Sequence, residues 1–223
     1  ELFPSPDKVA CAGINMKTNE IFQADYNFAK AKSAYVFKTI ADPFIGKYSL
    51  IKVCSGVVKS DDTLYNASSE TEEKLSKLYV MRGNKLEEVS ELHAGDIGAI
   101  GKAGCKTGDT LSTKATPVMY GKTDISKPYT YMAYKAKNKG DEDKISQALS
   151  KIMDEDLTVK TVNDSENRQS LLYGMGDQHL SVIVSTLAEK YKVDVELVKP
   201  KVAFRETIRK KADVEYKYKK QSG

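Results

Sequence analysis

The stretch GDEDKISQALSKIMDEDL, residues 140–157, decides the class of fold because its apolar side chains recur every three to four residues. The members of this apolar stripe are Ile145, Ala148, Leu149, Ile152 and Met153. Such spacing places them on one face of a helix. Asp141 is a candidate N-cap, and the acids after it stand where the helix dipole favours negative charge. The stretch therefore predicts an amphipathic helix that packs against another layer.

Strand patterns flank this helix in an order that defines a mixed domain. Residues 129–136 alternate like a strand, and residues 157–162 and 169–173 predict a hairpin around the polar run NDSEN. A second helix then precedes a last alternating run, residues 193–199. Its apolar face comprises Leu180, Ile183, Val184, Leu187, Ala188 and Tyr191. The order β-α-β-β-α-β predicts an α+β ferredoxin-like sandwich, with two helices covering one face of a four-stranded sheet.

The period is different before residue 127, where short β-favouring runs alternate with turn residues. These runs are residues 34–40, 48–58, 75–81 and 97–101. The turns between them are Asp42-Pro43, Arg82-Gly83-Asn84, Ala94-Gly95-Asp96 and Gly108-Asp109. Residues 61–74 are unusually polar and predict a loop. Closely spaced strands must bury one face and protect their edges, which a small all-β barrel achieves.

The 223 residues therefore divide into more than one domain. We expect a connector at 1–33, the β-barrel at 34–117, a linker at 118–127, the ferredoxin-like domain at 128–200 and the start of a further domain at 201–223. A last strand is predicted at Asp213–Lys220, where it would need partners from that further domain.

Composition excludes several classes of protein. The chain has 40% hydrophobic and 30% charged residues and a net charge of +4, which describes a globular chain without a strong basic bias. No apolar run has the length of a membrane helix, and the start lacks the pattern of a signal peptide. Three dispersed cysteines without CxxC spacing favour a reduced compartment over a disulfide framework. We expect a cytoplasmic protein without a membrane partner.

One motif imitates a nucleotide site. GDIGAIGK, residues 95–102, has the GxxxxGK spacing of a phosphate-binding loop, but Ala103 stands where a hydroxyl should bind Mg²⁺. Further glycines follow instead of a helix, so we interpret the segment as a glycine-rich part of the barrel. The two histidines, His93 and His179, lie in different predicted domains and do not predict a metal or relay site. His93 is expected at the surface, and His179 opens the second helix.

Four segments, in order, resemble elongation factor G. ADPFIGKYSLIKVCSGVVKSDDTL (41–64) and AGDIGAIGKAGCKTGDTLS (94–112) are similar to the start and end of its barrel domain. GMGDQHL (174–180) resembles the family's GMGELHL, and KPKVAFRETIRK (199–210) resembles its passage into domain IV. The final Lys220-Gln221-Ser222-Gly223 is similar to the RQSG-like motif of the same family. Asp177-Gln178 depart from the family's Glu-Leu, and Ser185-Thr186 replace its Asp-Arg pair, which favours a divergent paralogue.

The resemblance implies a barrel of the translation-factor domain II type, a domain III and the first strand of domain IV. It implies a monomer that binds small-subunit rRNA and proteins of the ribosome and relays the state of a GTPase domain, missing here, to tRNA-mRNA translocation. The parent would be a GTPase that uses GTP and Mg²⁺, whereas this part would hold no catalytic residue, cofactor or metal. Residues expected to face the GTPase switches or a neighbouring domain are Gly174, Gly176, Asp177 and His179.

Contact with rRNA should depend on basic side chains that reach phosphates. The candidates are Lys38, Lys47, Lys59, Arg82 and Arg168. Alternatives remain open: a ribosomal protection protein of the same architecture, a free-standing RNA-binding module and an acylphosphatase-type enzyme. The enzyme would need an arginine in the loop after the first ferredoxin-like strand, but Lys137-Asn138-Lys139-Gly140 stands there. The RNA-binding module would need an aromatic strand that stacks bases. Tyr129 and Tyr131 share one face of the predicted strand, whereas Tyr134 lies on the other.

Overall fold

The computed structural model describes residues 4–9, 11–42, 46–83 and 85–219. After a 3₁₀ turn, Pro6–Lys8, the chain forms mainly short strands and then two helices. The first thirteen strands are β1 Ala12–Asn15, β2 Ile21–Gln23, β3 Ser33–Asp42, β4 Gly46–Ser55, β5 Val57–Lys59, β6 Thr63–Asn66, β7 Thr71–Lys74, β8 Leu78–Arg82, β9 Lys85–Val89, β10 Glu91–His93, β11 Ile97–Gly101, β12 Thr110–Ser112 and β13 Val118–Tyr120. The remaining elements are β14 Thr130–Ala136, α1 Glu142–Glu155, β15 Lys160–Asp164, β16 Gln169–Gly174, α2 Asp177–Tyr191 and β17 Val195–Val198.

Ten of these strands build the predicted barrel. Eight form an antiparallel sheet in the order β7-β6-β12-β3-β4-β11-β8-β9, and β5 pairs with β10. Strands from both sheets contribute to a single apolar core, so the sheets enclose one interior. Side chains at its centre include Val36, Ile51, Val58, Leu64, Leu92, Ile100 and Leu111. The all-β barrel inferred from the sequence is confirmed.

The predicted strand at 48–58 is two strands, because Gly56 interrupts it. Gly56 has φ +72°, and a Cβ at this position would lie 2.7 Å from the carbonyl oxygen of Lys30. Only glycine combines that conformation with so close an approach. Pro43 and Asn84, which belong to two predicted turns, lie outside the described residues.

The predicted loop at 61–74 is wrong, because residues 63–66 and 71–74 form the hairpin β6–β7. Its second strand, Thr-Glu-Glu-Lys, ends the sheet on one side. An edge strand exposed to solvent can carry charged side chains without a loss of stability, so its composition resembles that of a loop.

A third, small sheet joins the segments on either side of the barrel. β1 lies between β2 and β13 in the order β13-β1-β2, with Gly13 opposite Tyr120. The buried hydroxyl of Tyr120 is hydrogen-bonded to Ser33 Oγ at 2.7 Å, which fixes the sheet to the barrel. Parts of the predicted connector, 1–33, and of the predicted linker, 118–127, are therefore paired strands.

The second domain has the predicted ferredoxin-like architecture. Its antiparallel sheet has the order β15-β16-β14-β17, and α1 and α2 share one core with the sheet. That core includes Ile145, Leu149, Ile152, Leu172, Leu180, Ile183, Leu187 and Val195. Asp141 occupies the N-cap position of α1, but its side chain pairs with Lys144 and makes no capping hydrogen bond. Neither helix in the described part of the chain combines the length and apolar character needed to cross a membrane.

The strand predicted at Asp213–Lys220 is wrong for its described part, Asp213 to Lys219. Residues 201–219 contain no helix or strand and are exposed throughout. No neighbouring strand in the described residues pairs with Asp213 to Lys219, and an unpaired strand does not form alone. One ion pair, Arg205 to Glu166 at 2.8 Å, connects the segment to the hairpin β15–β16. The motif Lys220-Gln221-Ser222-Gly223 lies outside the described residues.

Candidate functional site at the domain junction

Three consecutive acids at the end of α1 form the centre of the junction between the two domains. Asp154, Glu155 and Asp156 follow one another, and the last turn of the helix contains no basic residue. The helix dipole is negative at this end and disfavours carboxylates. Each of the three therefore needs partners from elsewhere in the fold, and each has them.

Glu155 connects the barrel to both helices of the second domain. Its Oε1 accepts a hydrogen bond from the backbone N–H of Ala41, at the end of β3, at 2.7 Å. The Lys190 ammonium on α2 donates to Oε1 and Oε2 at 3.0 and 3.1 Å. Burial alone would lower the pKa of Lys190, but the Glu155 carboxylate outweighs burial and the pKa is raised. Both groups are mostly shielded from water, which strengthens their interaction.

Asp154 makes a second connection to the barrel. It pairs with Lys47 on β4 at 3.2 Å, and Lys47 stands opposite Ala41 in the β3–β4 register. Both side chains are partly exposed. Exposed pairs of this kind contribute little net free energy, so this contact orients the domains more than it stabilises them.

Asp156 connects α1 to the first turn of α2. Its Oδ1 accepts hydrogen bonds from the N–H and hydroxyl of Thr158 at 2.8 and 2.6 Å, and its Oδ2 lies 3.1 Å from His179 Nε2. The N–H of Met175 donates to His179 Nδ1 at 3.1 Å, so the network assigns the imidazole proton to Nε2. Burial would raise the pKa of Asp156, but these hydrogen bonds and His179 outweigh it and the pKa is lowered.

The residues expected to face a neighbouring domain lie together at the start of α2. Gly174 ends β16, and a Cβ there would approach Leu180 to 3.0 Å and His179 Nδ1 to 3.3 Å. Gly176 occupies the N-cap position in an extended conformation that any residue can adopt, and Asp177 is exposed at the first helical position. His179 is the member whose side chain reaches the junction, through Asp156.

An open groove of about 610 Å³ lies beside these contacts. Its walls come from β3, from the end of α1 and from the segment between β13 and β14. They include three partly exposed apolar side chains, Phe37, Ile125 and Leu157. Lys38, a candidate rRNA contact, also lines it. Among the described residues, no three His, Cys, Asp or Glu side chains lie close enough to hold a metal ion. The groove therefore offers apolar contact and hydrogen bonding.

The five basic residues proposed for rRNA contact do not form one cluster. Lys47 is engaged with Asp154, Lys59 pairs with Glu91 at 3.5 Å, and Arg82 pairs with Glu87 at 3.2 Å. Lys38 and Arg168 are exposed and form no ion pair with any residue in the described ranges. Their contact with RNA stays a prediction. His93, expected at the surface, is partly exposed and packs against Phe28 with ring centroids 5.1 Å apart.

The segment that imitates a phosphate-binding loop is an internal strand of the barrel. Residues Ile97–Gly101 form β11 between β4 and β8. A Cβ at Gly98 would lie 2.3 Å from Leu92 Cδ1 and 2.9 Å from the carbonyl oxygen of Tyr79. The glycine is needed for close packing, which explains the motif without a nucleotide.

The sequence did not single out Glu155, Asp156, Lys190 or Ala41 as junction residues. One signal was available, since a run of three acids at a helix C-terminus opposes the helix dipole. Such a run indicates partners that local sequence does not show.

Two family models match this chain consecutively. The model described as Elongation factor G domain 2 matches residues 31–114, and the model described as Elongation Factor G, domain III matches residues 125–199. A barrel followed by a ferredoxin-like domain, matched in this order, defines the central domains of a translation elongation factor. The chain belongs to the elongation factor G family.

A solved structure agrees with this assignment. The chain is similar to a protein of Thermus thermophilus whose crystal structure is known, with 32% sequence identity and a TM-score of 0.69. The match covers 78% of this chain and 26% of the other, so this chain spans about a quarter of the length of that relative.

Proposed function

We propose that this chain is the ribosome-binding and coupling portion of an elongation factor G-like translation factor. In this role it relays the nucleotide state of a GTPase domain to the movement of tRNA and mRNA. The observation that carries the proposal is the polar junction, where Glu155 is bonded at once to Ala41 of the barrel and to Lys190 of α2. A displacement of the barrel is transmitted to both helices through this one carboxylate.

The junction also suits a change between two arrangements. Its polar contacts consist of a few hydrogen bonds and ion pairs that water can replace, unlike the apolar cores of the two domains. Domains joined by small polar interfaces move relative to each other as rigid bodies. GTP and Mg²⁺ would be bound by the GTPase domain, which would face the start of α2 at Gly174, Gly176, Asp177 and His179. The two domains described here would bind no cofactor, and the factor would act as a cytoplasmic monomer.

The test is cosedimentation of this chain with ribosomes at increasing salt. Binding through phosphates should fall steeply between about 50 mM and about 200 mM monovalent salt, because bound counterions are released. The variants Lys38→Ala and Arg168→Ala remove cations without an ion pair among the described residues and should weaken binding. Lys77→Ala is the matched control, because Lys77 already pairs with Glu88 at 2.7 Å. Binding that does not change with salt contradicts the proposal.

A further inference from the structure

The face of the ferredoxin-like sheet opposite the helices carries a pair of stacked tyrosines. Tyr131 of β14 and Tyr173 of β16 are direct partners in the register, and their ring centroids are 4.9 Å apart at an interplanar angle of 26°. These strands are the two central ones of the sheet. Tyr131 is 43% exposed, so aromatic surface is open to solvent at one end of these central strands.

An apolar strip lies beside the tyrosine pair on the same face. Two residues along from Tyr131, Ala133 stands opposite Leu171 on one side and Val198 on the other. Alternation along a strand places these side chains on the tyrosine face, because the neighbouring Met132 and Tyr134 pack against the helix-side core. Ala133 and Leu171 are themselves buried, at 3% and 6% exposure, so the accessible part of this face is the tyrosine pair at the end of the strip.

A basic cavity lies beyond the strip. It has a volume of about 450 Å³, and its lining includes four cations and no acid: Lys135, Arg168, Lys199 and Lys201. Lys201 is held in place, since its backbone N–H donates to Gln169 Oε1 at 2.8 Å and its ammonium donates to the carbonyl of Asn167 at 3.3 Å.

The acids around this cavity do not neutralise it, and one of them, Glu166, is paired with Arg205 at 2.8 Å. Asp164 is occupied by the side-chain amides of Asn167 and Gln169 at 2.8 and 2.9 Å. Glu196 is opposite Lys135 in the register and offsets one charge at most. On the other side of the tyrosine pair, the exposed Lys160 stands opposite Tyr173.

We propose that this face binds single-stranded RNA. Aromatic rings next to cations are the two elements that hold single strands, with bases stacked on the rings and phosphates on the cations. A duplex is excluded as the partner, because its base faces are already stacked inside the helix. Tyr131 and Lys135 are four residues apart on one strand, about 13 Å, so the stacked base and the phosphate in the cavity belong to different nucleotides. Because the chain belongs to a translation-factor family, we expect the single strand that binds this face to be RNA.

The inference goes beyond the coupling role, because it concerns the sheet face and not the domain junction.

The test measures fluorescence anisotropy of a labelled RNA of about eight nucleotides, a length typical of a small single-strand site. Tyr131→Ala should weaken binding by about five-fold or more, since a stacked base is worth roughly 1–3 kcal/mol. Tyr131→Phe keeps the ring and should bind like the wild type. The control Tyr216→Ala removes a tyrosine that is 83% exposed and far along the chain, and should have no effect.

A second pair of variants tests the cavity. Arg168→Ala should weaken binding and reduce the slope of log affinity against log salt by about one. Lys144→Ala removes the same charge from α1, on the helix side, and should change neither quantity. Circular dichroism and thermal unfolding establish that each variant is folded.

Three results would overturn the inference: equal affinity of Tyr131→Ala and the wild type, equal loss in Arg168→Ala and Lys144→Ala, or equal affinity for a duplex of the same sequence. These outcomes are separate from failure of the coupling role. Loss of oligonucleotide binding with retained ribosome cosedimentation contradicts only the present inference. Salt-independent ribosome binding with intact oligonucleotide binding contradicts only the proposed function.

Discussion

The carboxylate of Glu155 accepts a hydrogen bond from the backbone N–H of Ala41 at 2.7 Å, although 114 positions separate the two residues. The donor is a main-chain group, so this bond does not depend on the side chain at position 41. Its specificity comes from Glu155, whose other contact, the Lys190 ammonium, holds the carboxylate in place.

Replacing Glu155 should destabilise the chain measurably. Glu155→Ala leaves a shielded Lys190 and the Ala41 N–H without this partner, which should cost about 1–3 kcal/mol of unfolding free energy in urea titrations. The matched control is Glu189→Ala, which removes an exposed acid one position before Lys190. Equal stability of the two variants would show that the junction contributes nothing.

The pH dependence of stability should change when Asp156 is replaced. The pKa of Asp156 is lower in the folded than in the unfolded chain, so the unfolded chain binds more protons in acid. The stabilisation is complete above the ordinary carboxyl pKa of about 4 and is lost as pH falls through the lowered value. Thermal unfolding of Asp156→Asn should therefore differ from the wild type at neutral pH, and the difference should shrink towards pH of about 3.

The control for this effect is Asp194→Asn, at an exposed site before β17. This variant removes a carboxylate that lies outside the Thr158 and His179 contacts. A difference between Asp156→Asn and the wild type that does not change with pH would contradict the role given to those contacts.

Gly98 should tolerate no side chain. Gly98→Ala places a methyl group against Leu92 and the backbone of Tyr79, and overpacking of this kind costs about 1–3 kcal/mol. Gly121→Ala is the control, since a Cβ there meets nothing within 4 Å. Comparable melting temperatures of the two variants would refute the packing explanation for the glycine-rich segment.

Guanine nucleotide should not bind to residues 95–102. The segment forms an internal strand, and Ala103 lacks the hydroxyl that would bind Mg²⁺. Isothermal titration of this chain with GTP and Mg²⁺ should give no saturable heat. Micromolar affinity would overturn the interpretation of this segment.

The sequence predicted those parts of the fold in which one face of an element is buried. Ile145, Leu149 and Ile152 repeat at helical spacing because α1 covers a sheet, and the order of elements then specifies the ferredoxin-like domain. The barrel strands β3, β4 and β11 were recognisable for the same reason, since their side chains fill a core.

Some strands were missed because they are short, such as the internal strands β6 and β12 with four and three residues, and others because their stability comes from their position in the sheet. β7 and β9 stand at its two edges and read Thr-Glu-Glu-Lys and Lys-Leu-Glu-Glu-Val, because charges at an edge oppose association with other chains. The partners that Glu155 and Asp156 find in other elements could also not be predicted from the sequence. Contacts across more than twenty residues follow from the packing of whole elements, which local periodicity does not contain.

The pairing of β1 with β13 has a mechanical consequence. Because Gly13 faces Tyr120 across this small sheet, the strand by which the chain enters the barrel lies directly against the strand by which it leaves. A pull on the entering strand therefore reaches the exit without crossing the barrel interior. The barrel can remain stiff while a displacement of β1 reaches the segment that leads into the ferredoxin-like domain.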